Sequence, residues 1–195
     1  MKNELKQMYA NGNHNIEPSI SIDGLLKAVT MKLITTDDVI EIVGDKNVLS
    51  IIREAKLREI SNACNKTILN GIELKLGGDF IHFNLSIEDQ SNITNLFHIV
   101  ELGGTEFPFQ SDNGVCRIFT ATEIAQIYVA AQNMIMSQII YHNGLKSYVQ
   151  NLNTIEEISM VNYGMELPEP YLTEVNEKLT IAQNQLNAII SKVIL

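Results

Sequence analysis

The stretch NGIELKLGGDFIHFNLSIED, residues 70–89, decides the fold class. Asn70-Gly71 stops an apolar pattern of helical spacing. Ile72, Leu74 and Leu76 then alternate with Glu73 and Lys75, which is the two-residue period of a strand. Gly77-Gly78-Asp79 turns the chain, and Ile81, Phe83 and Leu85 alternate again on the return, so a β-hairpin is predicted. Ser86, with Asp89 three residues on, is a capping box that opens a helix directly after the hairpin. Helix, hairpin and helix in immediate succession make this region α+β.

The same grammar continues on both sides. Upstream, from near Ser50, Leu57, Ile60, Cys64 and Ile68 fall on one helical face, while Arg53, Lys56, Arg58 and Glu59 cover the rest. Downstream, Ile93, Leu96, Phe97 and Val100 form the buried stripe of the helix that Ser86 opens, and Gly103-Gly104 ends it. A second hairpin follows. Residues 106–110 are interrupted by Pro108, which suits an edge strand. Asn113-Gly114 is the turn and residues 115–119 return. Thr120 with Glu123 caps the longest helix, residues 121–152. Its seam is Ile124, Tyr128, Ala131, Ile135, Gln138, His142, Leu145, Val149 and Leu152, alternating steps of four and three. Gly144 lies within it as a bend or an end.

The flanks are helical. In residues 1–47, Leu5 and Met8 mark a first helix ended by Asn11-Gly12-Asn13, and Pro18 breaks the chain. Ser21 caps a helix carrying Leu25, Leu26 and Val29. Thr35 and Asp38 form a capping box for a third helix with Val39, Ile40, Ile42 and Val43, and Gly44 suits its left-handed end. In residues 154–195, Thr154 with Glu157 caps a short helix to residue 161, and Pro168 and Pro170 make a stiff break. Leu172, Val175, Leu179, Ala182, Leu186, Ile189 and Val193 then step by three and four without a fault. This heptad seam is the candidate assembly interface. It can pair with a second copy, with a partner, or with the long helix of its own chain. Ile181, Ile190 and Ile194 widen the apolar face, which also suits burial in a bundle. The expected architecture is mainly helical α+β in three segments: 1–47, 50–152 and 154–195.

Bulk composition excludes several classes. The chain has 195 residues, 45% of them hydrophobic, and a net charge of −9. A phosphate backbone is repelled by that charge, so no nucleic-acid partner is expected. The N-terminal residues lead into no apolar region, so no signal peptide is read and synthesis in the cytoplasm is expected. No apolar run approaches a membrane span. Cys64 and Cys116 sit in apolar patterns and read as free buried thiols rather than a disulfide.

Residues capable of chemistry are scattered. His14, His82, His98 and His142 show no metal-ligand spacing, and there is no Cys-x-x-Cys. His142, on the seam, reads as an interior or interface histidine. Asp37–Asp38, Glu88–Asp89 and Glu156–Glu157 fall in first turns, where carboxylates favour the helix dipole and cap free N–H groups. Gly77-Gly78 and Gly103-Gly104 are turns and stops, since no Lys-Ser/Thr follows either. An enzyme, a metal and a cofactor are therefore not expected.

Two segments carry a resemblance. Tyr9, Ala28-Val29, Ile34-Thr35 and Val43-Gly44, within residues 5–44, resemble the short XkdX-type phage proteins. Residues 52–148 are similar to a domain of unknown function found at the ends of phage tail-fibre and related tail proteins. The matching pieces run through residues 53–60, Ala63-Cys64, residues 68–72, residues 89–93 and residues 119–123. These resemblances bring no catalytic residues. They imply a non-enzymatic structural protein of a phage tail or phage-tail-like particle, near the baseplate or receptor-binding fibre. Its expected partners are other tail or fibre proteins and further copies of itself. The alternative is a cytosolic tail-fibre assembly chaperone absent from the mature particle. A carbohydrate- or receptor-binding module is a third class, and an aromatic content of 6% without tryptophan counts against it.

Overall fold

A computed structural model describes residues 2–14, 16–44, 47–111, 114 and 116–193. In chain order these form α1 (Lys2–Gly12), α2 (Ile22–Thr30), α3 (Thr36–Val43), α4 (Val48–Leu69), β1 (Ile72–Leu76), β2 (Asp79–Phe83), α5 (Ile87–Glu101), β3 (Glu106–Phe109), β4 (Arg117–Thr120), α6 (Ala121–Asn151), α7 (Ile155–Met160) and α8 (Tyr171–Val193). The class is mainly helical α+β, as the sequence pattern predicts. The helices begin where the capping residues stand. Thr35 and Asp38, Ser86 and Asp89, and Thr154 and Glu157 each make both bonds of a capping box. Thr120 and Glu123 do the same at the start of α6: Glu123 accepts from the Thr120 backbone N–H at 2.9 Å, and the Glu123 N–H donates to Thr120 Oγ1 at 3.2 Å. Each box satisfies N–H groups that a helix start otherwise leaves unpaired.

The helix ends are closed with equal care. After α2, the N–H groups of Lys32 and Leu33 donate to Val29 and Ala28 carbonyls at 2.8 and 2.9 Å. That double closure is a Schellman motif, and it places Lys32 at φ 58°, a position that usually takes glycine. Gly103 and Gly104 close α5 in the same way, onto Val100 and Ile99. At the end of α4, Gly71 sits at φ +80°, and a Cβ there would collide with the Phe83 carbonyl. Glycine is required on both counts.

The two sheets are antiparallel hairpins of two strands each. In the first, Ile72 pairs with Phe83 and Leu76 with Asp79, and Gly77 and Gly78 form the two-residue loop at φ 60° and 100°. Positive φ at both loop residues is what a tight hairpin turn needs. In the second, Phe107 pairs with Phe119, and Pro108 sits opposite Ile118 on a strand whose outer edge is unpaired in the sheet. The predicted turn at Asn113-Gly114 falls partly outside the described residues. Gly114 itself donates to the Ser111 carbonyl at 3.1 Å.

The chain divides into two compact units: residues 1–63 with 144–171, and residues 64–143 with 172–195. The divisions fall inside α4 and α6 because helices continue where packing changes. The sequence segments follow connectors instead. In the first unit α1 packs on α3, and α2 packs on α3 and α7. Its core includes Leu25, Leu26, Val39, Ile52, Leu145, Val149 and Ile158, none more than 2% exposed. In the second unit the hairpins meet through three rings. Phe83 stacks near-parallel to Phe109 at 6.2 Å, and Phe119 lies 6.0 Å from Phe83 and 6.2 Å from Phe109. Phe97 of α5 stacks on Tyr128 of α6 at 4.1 Å.

Three side chains depart from the sequence reading. Lys56 does not cover the outside of α4. It is buried, donating to Glu59 at 2.8 Å and to the Val161 carbonyl at 3.0 Å. Arg53, one turn earlier, donates to the Leu152 carbonyl at 2.6 Å. Both cations serve carbonyls just past the ends of α7 and α6, where cations oppose the negative helix terminus. Cys64 is buried as expected, but Cys116 is exposed. It lies just before β4, outside the strand pairing that buries Phe119.

Candidate functional site

The α8 helix places the predicted heptad residues on one face, and their burial is uneven. Val175, Ala182 and Leu186 are buried within the chain, while Leu172, Leu179 and Ile189 are half-buried. The Val193 side chain and Ile194 lie outside the described residues. Off the seam, Ile181 is exposed, and Ile190 borders a groove with Gln183 of α8, Gln126 and Val129 of α6 and Leu74 of β1. The centre of the stripe is therefore covered within one chain. Pairing with another copy through Val175, Ala182 and Leu186 would require α8 to leave its seat.

A different apolar surface stands open. It centres on a recess of about 360 Å³ in the second unit. The last turn of α4 brings Ile68 and Leu69, the first residue of α5 brings Ile87, and the middle of α6 brings Ile135 and Ile139. Ile87 is 82% exposed, Leu69 49% and Ile139 45%. Asn65 and Gln90 supply the polar part of the rim. Covering a large aliphatic side chain fully is worth about 1.5–3 kcal/mol, so a partner seated here gains from each of the three. Sequence reasoning placed Ile68 and Ile135 on buried faces and gave Leu69, Ile87 and Ile139 no role. One signal was present: Ile87 is out of phase with the stripe Ile93, Phe97 and Val100, and so cannot join them in the core.

The groups weighed for chemistry are dispersed. His82 Nε2 lies 2.8 Å from the Asn70 carbonyl, where it ties the hairpin to the end of α4. His98 is exposed and 3.4 Å from Glu101. His142 is half-buried on the α6 seam. Asp38, Asp89 and Glu157 are the carboxylates of three capping boxes. Hydrogen bonds from Thr35 hold the Asp38 carboxyl below the usual range, and bonds from Thr154 and Asn153 do so for Glu157. The ion pair with Lys2, 2.8 Å away, lowers Glu41. Burial, and secondarily the charge of Glu101, pushes the Tyr128 phenol up. Among the described residues no three His, Cys, Asp or Glu side chains gather as metal ligands, and no described helix is long and apolar enough to cross a membrane.

No curated protein and no solved structure matches the chain. Comparison with protein families does give a match, which begins in the second turn of α4 and ends just past α7. It covers residues 51–163, more than half of the chain, and the protein belongs to the family described as a domain of unknown function (DUF4376).

Proposed function

We propose that this protein is a non-enzymatic structural part of a phage tail or phage-tail-like particle, near the baseplate or receptor-binding fibre. The observation that carries a docking role is the open apolar rim formed by Leu69, Ile87 and Ile139. Contiguous exposed apolar surface on a charged chain marks a place where another molecule sits. The tail setting rests on the sequence resemblance of residues 5–44 and 52–148. The family match over residues 51–163 supplies a domain without a role. In this reading the protein is made in the bacterial host cytoplasm and ends in the virion tail. Its partners are other tail or fibre proteins and further copies of itself.

The test is mass spectrometry of washed, mature particles. The structural role predicts the chain in a fixed ratio to the other tail proteins. Its presence in the lysate and absence from the particle would replace this reading with that of an assembly chaperone.

A further inference from the structure

A second recess in the second unit, about 570 Å³ in volume, differs in kind from the apolar one. Three short segments build it. His82 and Asn84 lie two residues apart on the outward side of β2 and its continuation, with Phe83 between them turned into the core. Asp89 and Asn92 lie one turn apart on α5, and Phe109 ends β3 with Gln110 and Ser111 following.

Part of this lining is held in place. His82 meets the Asn70 carbonyl, the Asp89 carboxylate accepts from Ser86, and the Phe109 ring packs beside Phe83 and Phe119. The rest is uncommitted. The side chains of Asn84, Asn92, Gln110 and Ser111 make no hydrogen bond to another described residue. Three carboxamides and a hydroxyl therefore converge with both donors and acceptors to spare.

We infer that this recess binds a neutral saccharide. A carboxamide can donate to one hydroxyl and accept from its neighbour, which suits a polyol. An anion is disfavoured because no Lys or Arg is among the described lining residues and Asp89 is. An apolar ligand would strip water from three amides without replacing it. Phe109 offers the apolar wall that the C–H face of a sugar ring needs. The volume is within the roughly 300–1,000 Å³ of small-molecule sites. A low aromatic content overall does not weigh against one ring in the right place. This inference stands apart from the assembly role, and either can fail alone.

The test is an NMR titration of the full chain with glucose, galactose, N-acetylglucosamine and their β-linked disaccharides. At least one sugar should shift the side-chain amide signals of Asn84, Asn92 and Gln110 saturably. The double variant Asn92→Ala, Gln110→Ala changes two exposed residues and should fold normally by circular dichroism. It should weaken binding about tenfold. The inference is overturned if no sugar gives a saturable shift at those amides. It is equally overturned if the double variant binds as well as the parent, or if glucose 6-phosphate binds there more tightly than glucose.

Discussion

Leu186 on α8 and Ile87 on α5 are aliphatic residues of similar size in the same unit, yet one is 3% exposed and the other 82%. Leu186 belongs to an unbroken run of three- and four-residue steps, the pattern that suggests an interface. Ile87 belongs to no pattern. The centre of the regular stripe is covered by the chain itself, and the irregular rim is left open. Periodicity says which residues share a helix face. It does not say what lies against that face, because a bundle core and a coiled-coil seam ask for the same spacing.

Four measurements bear on that contrast. The largest effect is expected at Leu186→Ala, which should lose about 2–5 kcal/mol in chemical denaturation, the usual range for emptying a packed aliphatic site. A loss below about 1 kcal/mol, or a fall in oligomer mass at unchanged stability, would mean that the stripe faces another molecule. At Leu179→Ala, where the side chain is only half-buried, the loss should be about 1 kcal/mol by the same assay.

For Ile87→Ser the chain's own stability should stay within about 0.5 kcal/mol. Its retention in purified particles should fall instead, by quantitative mass spectrometry. Destabilisation comparable to Leu186→Ala would show that Ile87 is covered after all, and undiminished retention would remove the rim from the assembly role.

The smallest effect concerns acid. The Asp38 and Glu157 carboxyls titrate lower when folded than when unfolded. Their contribution is therefore present above the unfolded carboxyl range and lost as pH falls through the folded values. Hydrogen exchange at the first turns of α3 and α7 should quicken across that window, while the amides of α8 around Leu186 should not follow. Asp38→Asn and Glu157→Gln should flatten the response of their own helices.

Much of the fold was legible beforehand. All four predicted capping boxes formed, because the partners are three residues apart and meet whatever the rest of the chain does. The first hairpin was readable from strand period and glycine, and the second from its edge-strand Pro108 and the Asn113-Gly114 signal. Lys56 and Arg53 were not, since their acceptors, the carbonyls of Val161 and Leu152, lie 105 and 99 residues away. Both read as ordinary solvent-facing cations on an amphipathic helix. The polar recess was equally hidden. Asn84, Asn92 and Gln110 are unremarkable in sequence, and each sits on a different segment until the Phe83–Phe109–Phe119 cluster draws the hairpins together.

The sequence by itself determined where the box-capped helices start and where the first hairpin turns. Caps, turns and the alternation of faces depend on neighbours a few residues apart. Only the tertiary structure decided which apolar faces are covered, which cations are buried and which amides converge. Those outcomes depend on surfaces brought together from distant parts of the chain, and no local pattern encodes what a face will meet.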